Sequence, residues 1–172
     1  MNTLVLAVAV VLIVILVYYF VLSKRTISRI KFYKPSDLIN SQSADESTYQ
    51  IAQIVLFDSN GTPLTASDVT VTGGTSCYGT NPSIPFDGNT SNQNYPHVYH
   101  SCQKDLNNFL QAVLKSPQSL STIKVYNRKD CCGSRLAGVV LETYDSSDTL
   151  LNSYTLTNSP VVVVDLVNNQ VA

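Results

Sequence analysis

The amino-acid sequence predicts an all-β protein, an antiparallel β-sandwich preceded by one N-terminal transmembrane helix, and two observations support this prediction. A long uncharged apolar run occupies residues 4–22, and short segments of strand length, separated by turn residues, follow from residue 48 to residue 167. We therefore divide the chain into a transmembrane helix at 1–23, a basic and then polar juxtamembrane stalk at 24–47, a sandwich at 48–167 and a C-terminal tail at 168–172.

The apolar run is long enough to cross a bilayer. Its nineteen residues are nearly all Leu, Val, Ile and Ala, and Tyr18, Tyr19 and Phe20 stand near its far end, where interfacial aromatic residues are common. A cleaved signal peptide is the alternative, but no basic residue precedes the run, and residues 21–25 do not match a small-x-small cleavage site. We therefore expect an integral, single-pass membrane protein with the lipid bilayer as a partner.

Charge predicts the orientation of this helix. Five basic residues follow the run and only the α-amino group precedes it, so the positive-inside rule predicts a C-terminal domain on the cytosolic side, with the basic segment near anionic headgroups. Glycosylation sequons at residues 60–62 and 89–91 favour the opposite, lumenal orientation. Residues 37–172 carry six Lys or Arg against twelve Asp or Glu, which argues against nucleic acid as a partner. The five basic residues are Lys24, Arg25, Arg29, Lys31 and Lys34.

The sandwich prediction depends on about seven short strands with turn signals between them. Residues 73–101 form a loop-like stretch, and a loop this long in a compact domain usually has a function. Residues 103–116 are ambiguous, because Leu106, Phe109 and Leu110 also have helical spacing. The predicted strands are residues 49–57, 68–72, 109–114, 121–128, 137–144, 149–157 and 160–167.

One loop concentrates charge and sulfur. It follows an alternating strand that has Ile123, Val125 and Asn127 on one face, and loops held by rigid strands are common binding sites. Two adjacent cysteines joined in a small ring would give an apolar surface beside two arginines with fixed donors, a combination that suits a sugar. The alternative is an ion-paired cluster without a ligand. The loop residues are Arg128, Asp130, Cys131, Cys132 and Arg135.

The spacing Arg128-x-Asp130-Cys131-Cys132-x-x-Arg135 resembles the fucose-binding signature of the F-type lectins, or fucolectins, which belong to the discoidin-like galactose-binding-domain superfamily. The resemblance spans residues 48–167. It implies a discoidin-like, jelly-roll-like sandwich in which residues 109–114 are a strand. It also implies a fucose-type glycan as the ligand, with the two arginines as donors and the cysteine pair as an apolar wall. In the ligand-free alternative, Asp130 only buttresses the arginines.

In that family an upstream histidine completes the site. His100 is the nearest candidate, with His97 second. Twenty-seven residues separate His100 from Arg128, one more than the usual family spacing. We therefore expect fucose to bind weakly or not at all if this extra residue displaces His100 and if the cysteines stay reduced.

The four cysteines allow three disulfide pairings, and the sequence does not choose among them. The simplest pairing joins Cys77 to Cys102 and Cys131 to Cys132. If the domain faces the cytosol, reduced thiols are the default expectation.

Residues 86–89 are similar to the calcium-loop segment of the same family. Asp87 and Asn89 would supply the hard oxygen ligands that Ca²⁺ prefers, and Asp165 is a later acidic candidate. An ordinary Asx turn is the alternative.

No pattern in the sequence indicates catalysis, since it has no nucleophile motif with its base, no phosphate-binding glycine loop and no zinc-spaced Cys or His set. We expect a non-enzymatic binding or structural protein. Similar sandwiches with a related signature occur among structural proteins of large DNA viruses. The resemblance thus implies a minor capsid or membrane-associated virion protein that links the inner membrane of a virion to its capsid through other structural proteins. The alternative is a membrane-tethered fucose-binding lectin.

Overall fold

The computed structural model describes residues 26–40 and 43–172. The transmembrane helix predicted at residues 1–23 lies outside this part of the chain. Among the described residues no helix is long and apolar enough to cross a membrane. The described chain is all-β, with antiparallel sheets and short helices, which confirms the predicted fold class at this level.

The strands form two main sheets and one small pair. In chain order they are β1 Ile27–Tyr33, β2 Gln50–Ile51, β3 Gln53–Asp58, β4 Val69–Gly73, β5 Tyr99–His100, β6 Phe109–Gln118, β7 Leu120–Tyr126, β8 Val140–Tyr144, β9 Leu150–Thr155, β10 Val161–Asp165 and β11 Gln170–Val171. The five-stranded sheet has the order β4-β6-β1-β8-β9, the four-stranded sheet has the order β11-β10-β7-β3, and β2 pairs with β5. Two one-turn helices, α1 (Ser36–Ile39) and α2 (Ala44–Ser47), follow β1.

The core forms because the strands alternate apolar and polar side chains. Ile123 and Val125 of β7 are fully buried, as are Ile30 and Phe32 of β1 in the other sheet. All four belong to one hydrophobic cluster. Burying a side chain of this size is worth about 1.5–3 kcal/mol relative to exposure, so these central strands contribute much of the stability.

The predicted stalk at residues 24–47 is wrong for residues 27–33. This segment is β1, which pairs with β6 on one side and with β8 on the other in the five-stranded sheet. The basic residues of this segment made it look like a linker, but they lie on the outer face of a strand. Arg29 lies over the ring of Tyr144, 3.6 Å from its centroid, while Ile30 and Phe32 are buried in the core. The sandwich therefore begins about twenty residues earlier than predicted, at Ile27.

The structure confirms the strand predicted at residues 109–114 and corrects the predicted C-terminal tail. Residues 109–114 lie in β6, where Leu110, Ala112 and Leu114 are buried in alternation, as in a strand and not a helix. The predicted tail at 168–172 is wrong for Gln170 and Val171, because these residues form β11 and pair with β10.

Both sheets share the same two ends. At the end that we call the base, Ile27 pairs with Gln118 and Asp58 pairs with Leu120. At the opposite end, the top, Tyr33 pairs with Phe109, and β7 finishes at Tyr126. The loop that follows β7 therefore lies at the top, away from the point where residue 26 joins the sandwich.

Candidate functional site

The loop after β7 is held by Asn127, which is 2% exposed. Its Nδ2 donates to the carbonyl of Gly133 at 2.8 Å and to those of Asn158 and Ser159 at 3.3 Å. Its Oδ1 accepts from the backbone N–H of Arg128 at 2.8 Å. One buried amide thus connects both ends of the loop to the neighbouring 158–159 turn and fixes where the charged side chains lie.

His100 lies in this site despite the extra residue in its spacing from Arg128. It sits on β5 opposite Gln50 of β2, and its Nε2 is 3.4 Å from Nη1 of Arg135. The displacement expected from the spacing is therefore absent. His97, the second candidate, is exposed in the preceding loop.

The protonation state of His100 follows from its partners. Its Nδ1 is 2.7 Å from the carbonyl of Ser101, and because a carbonyl can only accept, Nδ1 carries the proton. Burial lowers the pKa of the ring, and the nearby charges of Arg135 and Arg128 lower it further. Burial and these charges therefore favour the neutral ring, in which Nε2 is an acceptor.

Gln50 is the centre of the cluster, and the sequence did not point to it. It is fully buried. With its amide oxygen turned toward its neighbours, Oε1 accepts from Arg128 Nη1 at 3.1 Å and Arg135 Nη1 at 3.0 Å, and lies 2.7 Å from His100 Nε2. Because Nδ1 already carries a proton, the last contact is a hydrogen bond only when the ring is doubly protonated. With the ring neutral it would place two acceptors 2.7 Å apart, so this contact opposes the effects that lower the pKa of His100.

Each arginine is also oriented by a carboxylate. Arg128 donates from Nε and Nη2 to the two oxygens of Asp130 at 2.6 and 2.7 Å, which holds the pKa of Asp130 at about 2. Arg135 donates from Nε to Asp45 at 2.8 Å, and this bond lowers the pKa of Asp45. A guanidinium has five N–H donors, so these contacts leave capacity for a ligand.

Asp45 is a second residue that sequence reasoning missed, because it lies in α2, within the predicted stalk. Ser134 donates to its second oxygen at 2.9 Å. Lys34, at the end of β1, donates from Nζ to the backbone carbonyl of Asp45 at 2.7 Å, and burial lowers the pKa of Lys34 to about 8. The segment between β1 and β2 is thus one wall of the site.

The rim of the cluster is apolar and aromatic. Cys131 and Cys132 form a disulfide. Cys77 and Cys102 form another, and Cys102 lies two residues after His100. These are the simplest of the three possible pairings. The ring of Tyr78 packs edge-on against His100, with centroids 4.7 Å apart. Polar donors and acceptors with an aromatic ring beside them, on the loop that carries the Cys131–Cys132 disulfide, suit a sugar, which has both hydroxyl groups and an apolar face.

The predicted calcium ligands lie in an ordinary turn. Oδ1 of Asp87 accepts from the backbone N–H of Asn89, and Oδ1 of Asn89 accepts from both N–H and O–H of Ser91 and from N–H of Asn92. Three donors directed at one oxygen do not fit a cation ligand. Asp165 likewise accepts from residues 167 and 168. Among the described residues no group of three or more His, Cys, Asp or Glu could hold a metal. Calcium binding stays a prediction, tested below.

Comparison with known proteins supports the fold. A family model described as NedA-like, galactose-binding domain matches residues 85–170, which is half of the chain and includes His100, Arg128 and Arg135. No curated protein and no solved structure gives a significant match. The more specific resemblance to the F-type lectins stays a prediction. From the extent of the family match, the chain belongs to the NedA-like, galactose-binding domain family.

Proposed function

We propose that the protein is a non-enzymatic glycan-binding protein that holds a fucose-type sugar at the top of the sandwich. The observation that supports this most is the convergence of Nη1 of Arg128, Nη1 of Arg135 and Nε2 of His100 within 3.1 Å of one Gln50 oxygen. Such a set can donate to ring and hydroxyl oxygens and accept from a hydroxyl. The Cys131–Cys132 disulfide would pack on the apolar edge of the sugar.

The site would bind through strong individual contacts. A hydrogen bond to a charged group is worth about 1.5–3 kcal/mol, and each 1.4 kcal/mol is about tenfold in affinity. Loss of either arginine contact should therefore weaken binding at least about tenfold. The position of His100 beside Arg135 and the two disulfides support sugar binding over the silent site predicted for a displaced His100 and reduced cysteines.

A glycan array with the full chain in detergent micelles tests this function. We expect binding to glycans with terminal fucose, and loss of it in His100→Ala. His97→Ala is the matched control, because that exposed histidine belongs to the same segment but not to the cluster. A blank array, or equal binding by both variants, would contradict the proposal.

A second candidate function is structural: a minor capsid or membrane-associated protein that links the inner membrane of a large DNA virus to its capsid. The specific observation in its favour is that both arginines already have carboxylate partners, Asp130 and Asp45, within the chain. Cross-linking mass spectrometry on purified particles tests it. Cross-links to capsid proteins are expected, and absence of the chain from the particles would exclude it.

The side of the membrane is also part of the proposal. The basic residues after the apolar run predict a cytosolic domain, whereas the two disulfides favour an oxidising compartment or a virion surface. A lectin requires the domain to lie in an oxidising compartment or on a virion surface, not in the cytosol. Glycosylation at Asn60, which lies exposed in the described turn, would report a lumenal domain. An unglycosylated chain with alkylatable cysteines would support the cytosolic one.

A further inference from the structure

The base of the sandwich contains an open apolar groove between the two sheets. Its volume is about 370 Å³, and Ile27, Leu120, Leu151, Leu166 and Val167 supply its apolar lining. Val167 is 74% exposed, and nearby Leu150 is 48% exposed. Ile27 and Leu151 come from one sheet and Leu120 from the other, so the groove is the unclosed end of the hydrophobic core.

The chain reaches this groove directly from the predicted membrane span. The uncharged run ends at Leu22, and β1 begins at Ile27, itself part of the groove lining. Five residue steps span at most about 17 Å when fully extended. The headgroup layer on each side of the hydrocarbon core is about 5–8 Å thick. With β1 inside the sheet, no 24-residue stalk remains to hold the sandwich away from the bilayer.

We infer that the base of the sandwich rests on the lipid bilayer and that the apolar groove is its contact with the lipid. This inference uses the predicted span at residues 4–22 and does not depend on the proposed glycan site. The short connection brings the groove to the headgroup layer, where contact with lipid removes the apolar surface of Val167 and Leu150 from water.

The charges around the groove indicate which lipid fits. Asp58 immediately precedes the lining residue Ser59, and Asp165 immediately precedes Leu166. Asp148 is also near the base, paired with Arg29. These carboxylates do not favour anionic headgroups, so apolar contact with a zwitterionic lipid carries the docking.

Docking by the base determines which way the functional site faces relative to the bilayer. β1 runs from the base to the top over seven residues, or about 20 Å. The cluster around Gln50 therefore faces away from the bilayer and toward ligands or partners on that side. A sandwich docked by its top would instead bury the site against lipid.

Quenching of a single tryptophan by brominated lipid tests the inference, because the protein contains no tryptophan. The full chain is reconstituted into phosphatidylcholine vesicles with or without brominated acyl chains. Val167→Trp reports the base, and Leu106→Trp is the matched control, since Leu106 is 63% exposed and lines a small cavity with Tyr33 and Phe109 at the top. We expect Val167→Trp to lose most of its emission in brominated vesicles and Leu106→Trp to keep its emission.

Leu150→Trp is a second probe of the base and should be quenched like Val167→Trp. This variant keeps the test decisive if Val167→Trp does not fold. Equal quenching at base and top, stronger quenching of Leu106→Trp, or a chain that does not float with the vesicles would each overturn the inference.

Discussion

Asn127→Ala tests how the structure builds the site, because this one buried side chain makes four hydrogen bonds to the loop and its neighbours. A typical intramolecular hydrogen bond contributes about 0.5–1.5 kcal/mol net. Two bonds of 2.8 Å at about 1 kcal/mol each and two of 3.3 Å at about 0.5 kcal/mol each predict a loss of about 3 kcal/mol. Without these bonds the loop should no longer hold Arg128 and Arg135 in position, so the affinity for sugar should also fall.

Urea denaturation of a protein of residues 26–172 measures this loss. With a slope of about 2 kcal/mol per molar urea, the midpoint should fall by about 1.5 M. Asn152→Ala is the matched control, because Asn152 is half-buried and donates one bond, to Thr143 at 3.2 Å. That control should cost less than about 1 kcal/mol. If the two variants lose equal stability, the reasoning about Asn127 fails.

Three further predictions concern the fold, pH and calcium. A protein of residues 48–172 should not fold, whereas one of residues 26–172 should, because the first lacks β1 at the centre of its sheet; a cooperative melt of the shorter protein would show that β1 is dispensable. The free energy of unfolding should fall as the pH drops below about 6.5. In the unfolded chain this histidine takes up a proton at that pH, whereas the lowered pKa of buried His100 keeps it unprotonated in the folded chain. His100→Gln should remove this pH dependence, and the control His97→Gln should keep it. The melting temperature should rise with free calcium through Asp87 and Asn89 if they bind it, and an unchanged melt in EDTA and in calcium would remove that hypothesis.

The sequence was most informative where alternation was regular. Ile123 and Val125 identified β7, and the motif that follows identified Arg128 and Arg135, because both signals are local in the chain. The sequence was misleading where charge interrupted the alternation: Arg29 and Lys31 made β1 look like a stalk. A strand that uses long basic side chains on its solvent face is hard to distinguish from a basic linker by composition.

Gln50 and Asp45 could not be found from the sequence, because their roles depend on contacts between distant segments. Asp45 is ninety residues from Arg135, and Gln50 meets His100 only through the pairing of β2 with β5. Neither residue type is unusual in a polar segment. The extra residue between His100 and Arg128 was misleading in another way. It suggested that His100 is displaced from the site, but the loop accommodates the extra residue.

Titration calorimetry with L-fucose tests the central claim most directly. The oxidised full chain should bind L-fucose saturably, and Arg128→Ala should abolish the binding. Arg29→Ala is the matched control, because Arg29 is also a partly buried arginine paired with an aspartate, but it lies near the base. Its binding should equal that of the unmodified chain. Absence of saturable heat from the unmodified chain, or retained binding in Arg128→Ala, would contradict the account.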